Sequence, residues 1–147
     1  MGKTAALMIL SLVMVACSGS NVDPLAAKLA DELQPTFEQG ALKVSDETSE
    51  CVAVSIVNWV GDKEEFERRL DDGENLNSLL ADVPENFVDI FGCMSLDDFK
   101  DNIADLAPGV DKDAVECLVD QSGSVKNATD MLRSSPARFA ELAASCS

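Results

Sequence analysis

The sequence predicts an all-α fold, a small disulfide-stapled helical bundle built from two degenerate helical repeats. Three observations support this prediction: apolar residues recur at helical spacing, four cysteines form an even set, and similar segments occur in both halves of the chain. Because such stripes more often face a core than a ligand, we assign each of them to the core. The stripes are Leu76, Leu79, Leu80 and Val83; Phe87, Ile90, Phe91 and Met94; Leu96, Phe99, Ile103 and Leu106; and Phe139, Leu142, Ala143 and Cys146.

Residues that cap helices agree with these stripes. A short first helix is expected after Asp23, with a proline at its first position, and a linker over residues 35–45 follows it. Further helices are expected to begin at Ser95, Asp111 and Ser135, since such side chains bond the free N–H groups of a helix start. Five glycines are expected at helix ends or in turns: Gly40, Gly61, Gly73, Gly109 and Gly123.

The segment from Cys51 to Val60 is ambiguous, because its β-branched residues would suit a strand. However, Val52, Ile56, Trp59 and Val60 also form a helical stripe, and no second convincing strand exists to pair with this segment. We therefore predict a helix. Within it, Trp59 is expected in the core rather than as an exposed platform for a sugar.

Four of the five cysteines remain when Cys17 is set aside, and they form an even set: Cys51, Cys93, Cys117 and Cys146. None of them has C-x-x-C spacing, and the long gaps between them do not suit a zinc site. Disulfides are therefore favoured over free buried thiols and over a metal site, and no cofactor is expected.

The sequence around these cysteines favours one of the three possible connectivities. The first cysteine of each half follows a glutamate, and the second follows a Pro-x-x-Phe segment, Pro84–Phe87 in one half and Pro136–Phe139 in the other. If the halves are repeats, each closes its own bridge, Cys51–Cys93 and Cys117–Cys146. Loops of this size would contribute about 4 kcal/mol each on a chain-entropy estimate.

The N-terminus carries an apolar segment that ends at Cys17. Lys3 precedes this segment, residues 5–16, which would be about 18 Å long as a helix, against about 30 Å of bilayer hydrocarbon. The last residues of this segment, Val13–Ala16, together with Cys17 resemble the bacterial lipobox. The resemblance implies a signal peptide over residues 1–16 and lipid on the Cys17 thiol. An ordinary cleaved signal peptide and an uncleaved apolar helix remain the alternatives.

The same resemblance implies a location. A lipid on Cys17 would hold the exported protein in the bacterial cell envelope, on the outer face of the cell membrane or at the outer membrane where the envelope has two. The protein would then contact the membrane through its N-terminal lipid. Charge attraction to anionic lipid head groups is not expected, because the chain is strongly acidic.

Composition narrows the classes of function. The chain has 27 acidic and 11 basic residues, a formal net charge of −16, and removal of residues 1–16 would take away only Lys3 from the charged set. Nucleic-acid binding requires a basic surface and is therefore disfavoured. Histidine is absent, which removes the usual general base near neutral pH and every Ser-His or Cys-His nucleophile pair. No catalytic residue is assigned, and we expect a protein that is not an enzyme.

Clusters of acidic residues are the only groups of polar side chains in the sequence that suggest a metal-binding or catalytic site. The acidic segment Asp71–Asn75 is similar in composition to a calcium-binding loop. If Gly73 is placed at the sixth position of an EF-hand loop, however, Arg68 falls at the first ligand position, where an oxygen ligand is required. Asp97 and Asp98, like Asp111 and Asp113, suit helix N-termini. No metal ligand is assigned. The Asn127-Ala128-Thr129 sequon would matter only in a host that glycosylates such sites.

The body of the chain is similar in a loose way to small actinobacterial envelope proteins of unknown function that carry recurring Cys-Val-Ala or Val-Asp helices. Here the similar residues are Cys51-Val52-Ala53 and the segment Cys117–Asp120. The resemblance implies a helical, disulfide-bonded envelope domain and brings no activity with it.

We expect four regions: a signal peptide over residues 1–16, a tether over 17–22, a short helix and linker over 23–45, and a helical disulfide-bonded domain over 46–147. The leading hypothesis is a lipid-anchored, non-enzymatic interaction or structural module with an acidic surface and an unidentified protein partner. The alternatives are a small carboxylate-dependent hydrolase and an envelope protein that binds divalent cations.

Overall fold

The computed structural model describes residues 22–147. Within this range the chain forms nine α-helices and two 3₁₀ turns and contains no β-strand, which confirms the all-α prediction. The 3₁₀ turns are Glu85–Phe87 and Lys112–Ala114. In chain order the helices are α1 (Pro24–Gln39), α2 (Asp46–Trp59), α3 (Lys63–Asp71), α4 (Leu76–Leu79), α5 (Ile90–Cys93), α6 (Leu96–Leu106), α7 (Val115–Ser122), α8 (Val125–Ser134) and α9 (Pro136–Ser145).

The first two helices pack side by side and run antiparallel. Lys63, just beyond the end of α2, forms an ion pair of 3.0 Å with Asp23 at the start of α1, so the end of one helix lies beside the start of the other. Their facing side chains are completely buried or nearly so: Leu25, Ala26, Leu29, Ala30, Leu33, Val52, Ala53, Ile56 and Val57. Small residues in both faces allow the two backbones to approach closely.

Helix α1 continues through Pro35, where the sequence predicts the start of a linker. A proline inside a helix lacks the N–H that would bond the carbonyl four residues earlier, here that of Asp31. Both residues are exposed, so water can satisfy this carbonyl. Beyond the proline, Phe37 packs against the core in line with the buried Leu25, Leu29 and Leu33, and this packing keeps the last turn helical.

Pro35→Ala is expected to raise the free energy of unfolding by about 1 to 2 kcal/mol, because alanine restores the missing hydrogen bond and removes the ring clash. The gain is smaller than the full helix-propensity difference because proline also restricts the unfolded chain. Urea unfolding followed by circular dichroism at 222 nm measures the change. Pro24→Ala is the control, since proline at the first helical position needs no N–H donor. An equal response at both prolines would show that Pro35 does not destabilise α1.

The second half of the fold packs α6, α7, α8 and α9 around one buried cluster. Phe99 and Ile103 of α6, Leu118 of α7 and Phe139 of α9 are each exposed by 2% or less. Helix α5 contacts both α2 and α8, so the cluster is continuous with the interface between α1 and α2. The apolar stripes of these helices therefore form one core, as predicted.

The two proposed repeats differ in structure. Pro136 begins the ten-residue helix α9, whereas Pro84–Phe87 contains only a 3₁₀ turn, and a separate four-residue helix, α5, follows it. Where the first copy has Asn86, Val88, Asp89 and Gly92, the second has Arg138, Ala140, Glu141 and Ala144, which are better helix formers. Asp89 also stops the turn, because its side chain caps α5 by accepting a 3.1 Å hydrogen bond from the Phe91 N–H.

None of the helices in residues 22–147 is both long and apolar enough to span a membrane. The apolar segment and Cys17, the predicted lipidation site, lie outside the described residues.

Candidate interaction surface

The four cysteines of the helical domain form two disulfides, Cys51–Cys93 and Cys117–Cys146. These are the pairs that the within-half connectivity predicts. The first bridge joins α2 to the end of α5, and the second joins α7 to the residue after α9. The Gln121 side chain donates hydrogen bonds to both sulfurs of the second bridge, at 3.1 and 3.4 Å.

Asp98 is the one buried carboxylate within residues 22–147, and it connects the starts of two helices. It is the third residue of α6, where its N–H donates to the capping hydroxyl of Ser95 at 3.1 Å. Its Oδ2 accepts from the Ser45 N–H (3.0 Å), the Ser45 hydroxyl (2.8 Å) and the Thr48 hydroxyl (2.6 Å). Since Ser45 caps α2, one carboxylate holds the N-termini of α2 and α6 together.

The hydrogen bonds decide the ionisation of Asp98. Burial by itself raises the pKa of this carboxyl, but the hydrogen bonds from Thr48, Ser45 and Ser95 outweigh burial and hold the pKa below its ordinary value. An ionised carboxylate whose oxygen already has three donors is not available as a general acid near neutral pH. We therefore assign Asp98 a structural role.

Asn102, one turn further along α6, fixes the loop before α2. Its Oδ1 accepts from the Lys43 N–H at 2.8 Å, and its Nδ2 donates to the carbonyls of Lys43 and Asp98. The side chain is 1% exposed, so these bonds satisfy an otherwise buried amide. Sequence reasoning assigned no role to Ser45, Thr48 or Asn102, because their partners lie 50 to 59 residues away along the chain.

The carboxylates of the acidic segment Asp71–Asn75 form ion pairs with lysine and arginine side chains of the same chain. Asp71 pairs with Lys28, Asp72 with Arg68 at 2.8 Å, and Glu74 with Arg69 at 2.7 Å. Asn75 caps α4 by accepting from the Asn77 N–H at 2.9 Å. The side chains therefore point to different partners, and across residues 22–147 no three cysteine or carboxylate side chains converge closely enough to hold a metal ion.

The other acidic clusters serve helix ends, as the sequence indicates. Asp111 accepts from the Asp113 N–H at 2.9 Å and caps the 3₁₀ turn that precedes α7. Asp97 is exposed in the first turn of α6, where negative charge is favourable. In the sequon, Thr129 is 2% exposed and its hydroxyl donates to the Val125 carbonyl at 2.9 Å, so the threonine is not presented at the surface.

A cleft of about 400 Å³ lies between the Glu85–Phe87 turn, α5 and α8. Lys126 bridges two of its carboxylates, with Nζ 3.2 Å from Asp89 and 2.9 Å from Asp130. The Arg133 guanidinium covers the Phe91 ring at 4.6 Å from the ring centre. Carboxylates that are held by a lysine are poorly suited to the acid and base roles that the hydrolase hypothesis requires.

A second cleft, of about 200 Å³, lies beside Trp59 at the end of α2. The prediction that Trp59 belongs to the core is wrong, because 38% of the residue is exposed. The ring packs on one side against Phe87, with 6.3 Å between ring centres and 46° between planes. Trp59 is the last residue of α2, and the chain turns away at Val60, so the side chain stays partly exposed within the part of the chain that the structure describes.

Comparison with known proteins gives no match: no protein-family model, no curated protein and no solved structure resembles the chain significantly. Its fold is therefore described by its own element order and its two disulfides. The resemblance of the N-terminus to a lipobox, and of the body to cysteine-containing envelope proteins, stays a prediction.

Proposed function

We propose that the protein is a lipid-anchored, non-enzymatic interaction module of the bacterial cell envelope. In this proposal Cys17 carries the lipid, and the helical domain presents an acidic surface to a protein partner. Cleavage before Cys17 leaves only seven residues before α1 begins, from Cys17 to Asp23, so the domain would lie close to the membrane.

The pairing of the cysteines carries this proposal. Cys51, Cys93, Cys117 and Cys146 are all used in disulfides, which persist in oxidising compartments outside the cytosol. The fifth cysteine, Cys17, stands apart from the domain and directly after an apolar segment with a basic start. Export explains the disulfides, and a lipid would explain why an exported chain has an odd number of cysteines.

The surface of the domain supports interaction rather than catalysis. A general acid of the hydrolase type needs a carboxyl group whose pKa is raised. Where the pKa of a carboxyl group departs from its ordinary value in residues 22–147, the pKa is lowered; these groups are Asp23, Glu65, Glu74 and Asp98. The excess of acidic residues gives the domain a negative field that would attract basic partners and repel acidic ones.

Expression in a bacterial host that processes lipoproteins, followed by mass spectrometry of the intact protein, tests the anchor. We expect the mature chain to begin at Cys17 and to carry the additional mass of two or three acyl chains, because the lipobox resemblance implies both cleavage and acylation. The same material should partition into the detergent phase of a Triton X-114 extraction.

Cys17→Ser is expected to abolish the acyl mass while leaving both disulfides intact, and Ser18→Ala is the matched control that should keep the lipid. A wild-type mature chain that begins elsewhere, or that carries no acyl mass, would contradict the anchor. Loss of a disulfide in Cys17→Ser would contradict the separation of the anchor from the folded domain.

Crosslinking in native envelopes tests the interaction role. The protein is expected to yield one reproducible crosslinked partner whose contact site is basic, because the surface of the domain is acidic. Crosslinking should weaken as the ionic strength rises, since salt screens exposed charges over about 10 Å at 0.1 M. Recovery of crosslinks only to itself would instead favour a structural or coating role.

A further inference from the structure

We propose that the cleft beside Trp59 binds a cationic side chain, arginine or lysine, of a basic segment in a partner protein. The inference rests on the proposed function, and it names the partner chemistry and the place of contact. The Trp59 cleft is defined by the residues that line it: Trp59, Val60, Gly61, Asp62, Glu65, Phe66, Arg69, Leu79 and Asp82.

The first argument comes from the indole ring. Trp59 is the single tryptophan of the sequence, and it is the most exposed large hydrophobic residue in residues 22–147. A cation over an aromatic face is attracted by the ring electrons, most strongly for tryptophan. The chain itself makes such a contact at Phe91, which Arg133 covers, whereas no lysine or arginine of the described residues covers Trp59.

The second argument comes from the charges around the ring. Arg69 is held by Glu74, and Glu65 is held by Arg68 at 2.7 Å, so these two lining residues are already neutralised. Asp82 makes no ion pair or side-chain hydrogen bond within residues 22–147, although it is close enough to Arg69 to help raise the pKa of that guanidinium. Asp62 uses one oxygen to accept from the Glu65 N–H at 3.0 Å. The lining contains the carboxylates of Asp62, Glu65 and Asp82 against the one guanidinium of Arg69, so its net charge is negative.

The third argument comes from the helix end. Helix α2 is 14 residues long and ends at Trp59, and its last turn contains no basic residue. The C-terminal carbonyls of a helix carry partial negative charge and favour a cation nearby. An arginine or lysine side chain entering the cleft would meet the carbonyl end of α2, the indole ring and the Asp82 carboxylate together.

The size of the cleft favours a single side chain. Its volume of about 200 Å³ is below the ~300 to 1,000 Å³ that is typical of pockets for whole small molecules. An aliphatic stem with a charged end can pack on apolar surface while its charge meets a polar group, and the lining of this cleft offers both kinds of residue. We therefore assign the occupant to a side chain presented by a larger partner.

Tryptophan fluorescence tests the proposal directly, because the sequence has one tryptophan and no tyrosine. The full chain, in a non-ionic detergent, is titrated with an acetylated and amidated tri-arginine peptide. We expect a saturable change in Trp59 emission that weakens as NaCl is raised. A tri-citrulline peptide, which has nearly the same shape without the charge, is expected to cause no change.

Two variants of equal charge separate the cleft from the general acidity of the protein. Asp82→Asn is expected to raise the Kd of tri-arginine about three- to fivefold, the size of an exposed ion pair. Asp120→Asn removes the same charge from the exposed surface of α7, where the side chain has no ion pair or hydrogen bond within the described residues, and should change the Kd by less than twofold. Trp59→Ala and the more conservative Trp59→Leu, measured by calorimetry, are expected to weaken binding further.

Three results would overturn the proposal: equal Kd values for Asp82→Asn and Asp120→Asn, binding of tri-citrulline as tight as tri-arginine, or a saturable response to chitotriose that exceeds the response to tri-arginine. The last result would assign the ring to a glycan. These outcomes do not depend on the lipid, whereas mass spectrometry of the mature N-terminus tests the anchor alone. Failure of the cleft and failure of the anchor are therefore distinguishable.

Discussion

Asp98→Ala is expected to lower the free energy of unfolding by about 3 to 4 kcal/mol, which is a large share of the stability of a domain of this size. The carboxylate accepts three hydrogen bonds through one oxygen, and bonds to a charged acceptor contribute about 1.5 to 3 kcal/mol each. When this carboxylate is removed, the hydroxyl of Thr48 loses its closest acceptor, and water cannot easily replace it because Thr48 is 1% exposed. Urea unfolding at pH 7 measures the loss.

Asp97→Ala is the matched control for this substitution. Asp97 is the preceding residue in the same helical turn, but it is exposed and has no long-range partner among the described residues. Asp97→Ala should lower the free energy of unfolding by less than about 1 kcal/mol, since the substitution removes only a favourable interaction with the start of α6. Similar costs at Asp97 and Asp98 would contradict the role assigned to the buried carboxylate.

Asp98→Asn should reveal the pH dependence of the same contact. The pKa of Asp98 is lowered in the folded protein, so its charge stabilises the fold fully above the pKa of the unfolded chain, about 4. That contribution is lost as the pH falls through the lowered folded pKa. The difference in unfolding free energy between wild type and Asp98→Asn should therefore be constant above pH 5 and shrink below pH 4. A difference that grows on acidification would contradict this assignment.

Removal of the Cys51–Cys93 bridge, by alanine at both positions, is expected to cost about 4 kcal/mol. The bridge spans 42 residues, and the Cys117–Cys146 bridge spans 29, so the chain-entropy estimate gives nearly equal costs for the two. None of the four cysteines is fully buried, which keeps the loss of packing small beside the loss of the cross-link. Chemical denaturation of each double variant measures the costs.

The unfolded state provides the control for the disulfide prediction. Without a cross-link the unfolded chain is more expanded, so the dependence of unfolding free energy on urea should become steeper in both double variants. Serine at the same pairs should give the same result as alanine, because the effect comes from the bond and not from the side chain. A variant that loses stability without a steeper urea dependence would indicate lost packing instead.

The sequence contained the local determinants of this fold. Ser95 caps α6 and Pro136 begins α9 as predicted, since these interactions depend on residues only a few positions apart. The capping hydrogen bond expected from Ser135 is absent, and α9 begins without a side-chain cap. The all-α class followed from the apolar stripes for the same reason. A helical stripe remains visible in the sequence whatever element eventually covers it.

The determinants that sequence reasoning missed depend on distant residues. Asp98 looks like an ordinary residue of a first helical turn, and its role depends on Ser45, 53 positions earlier. Pro35 looks like a helix breaker, yet α1 continues beyond it to Gln39, where Phe37 packs on the core. Trp59 occupies an apolar stripe, but it lies at the last position of its helix, where periodicity cannot tell whether a neighbour is present.

The positions of the disulfides have a mechanical consequence for the N-terminal helix. The two covalent loops cover residues 51–93 and 117–146, and α1 lies outside both of them. Tension applied at the N-terminus therefore enters the protein through the helix that only non-covalent contacts retain. Under load, α1 would peel from α2 first, while the cross-linked segments stay closed. Such a load would therefore detach α1 before it strained either cross-linked segment.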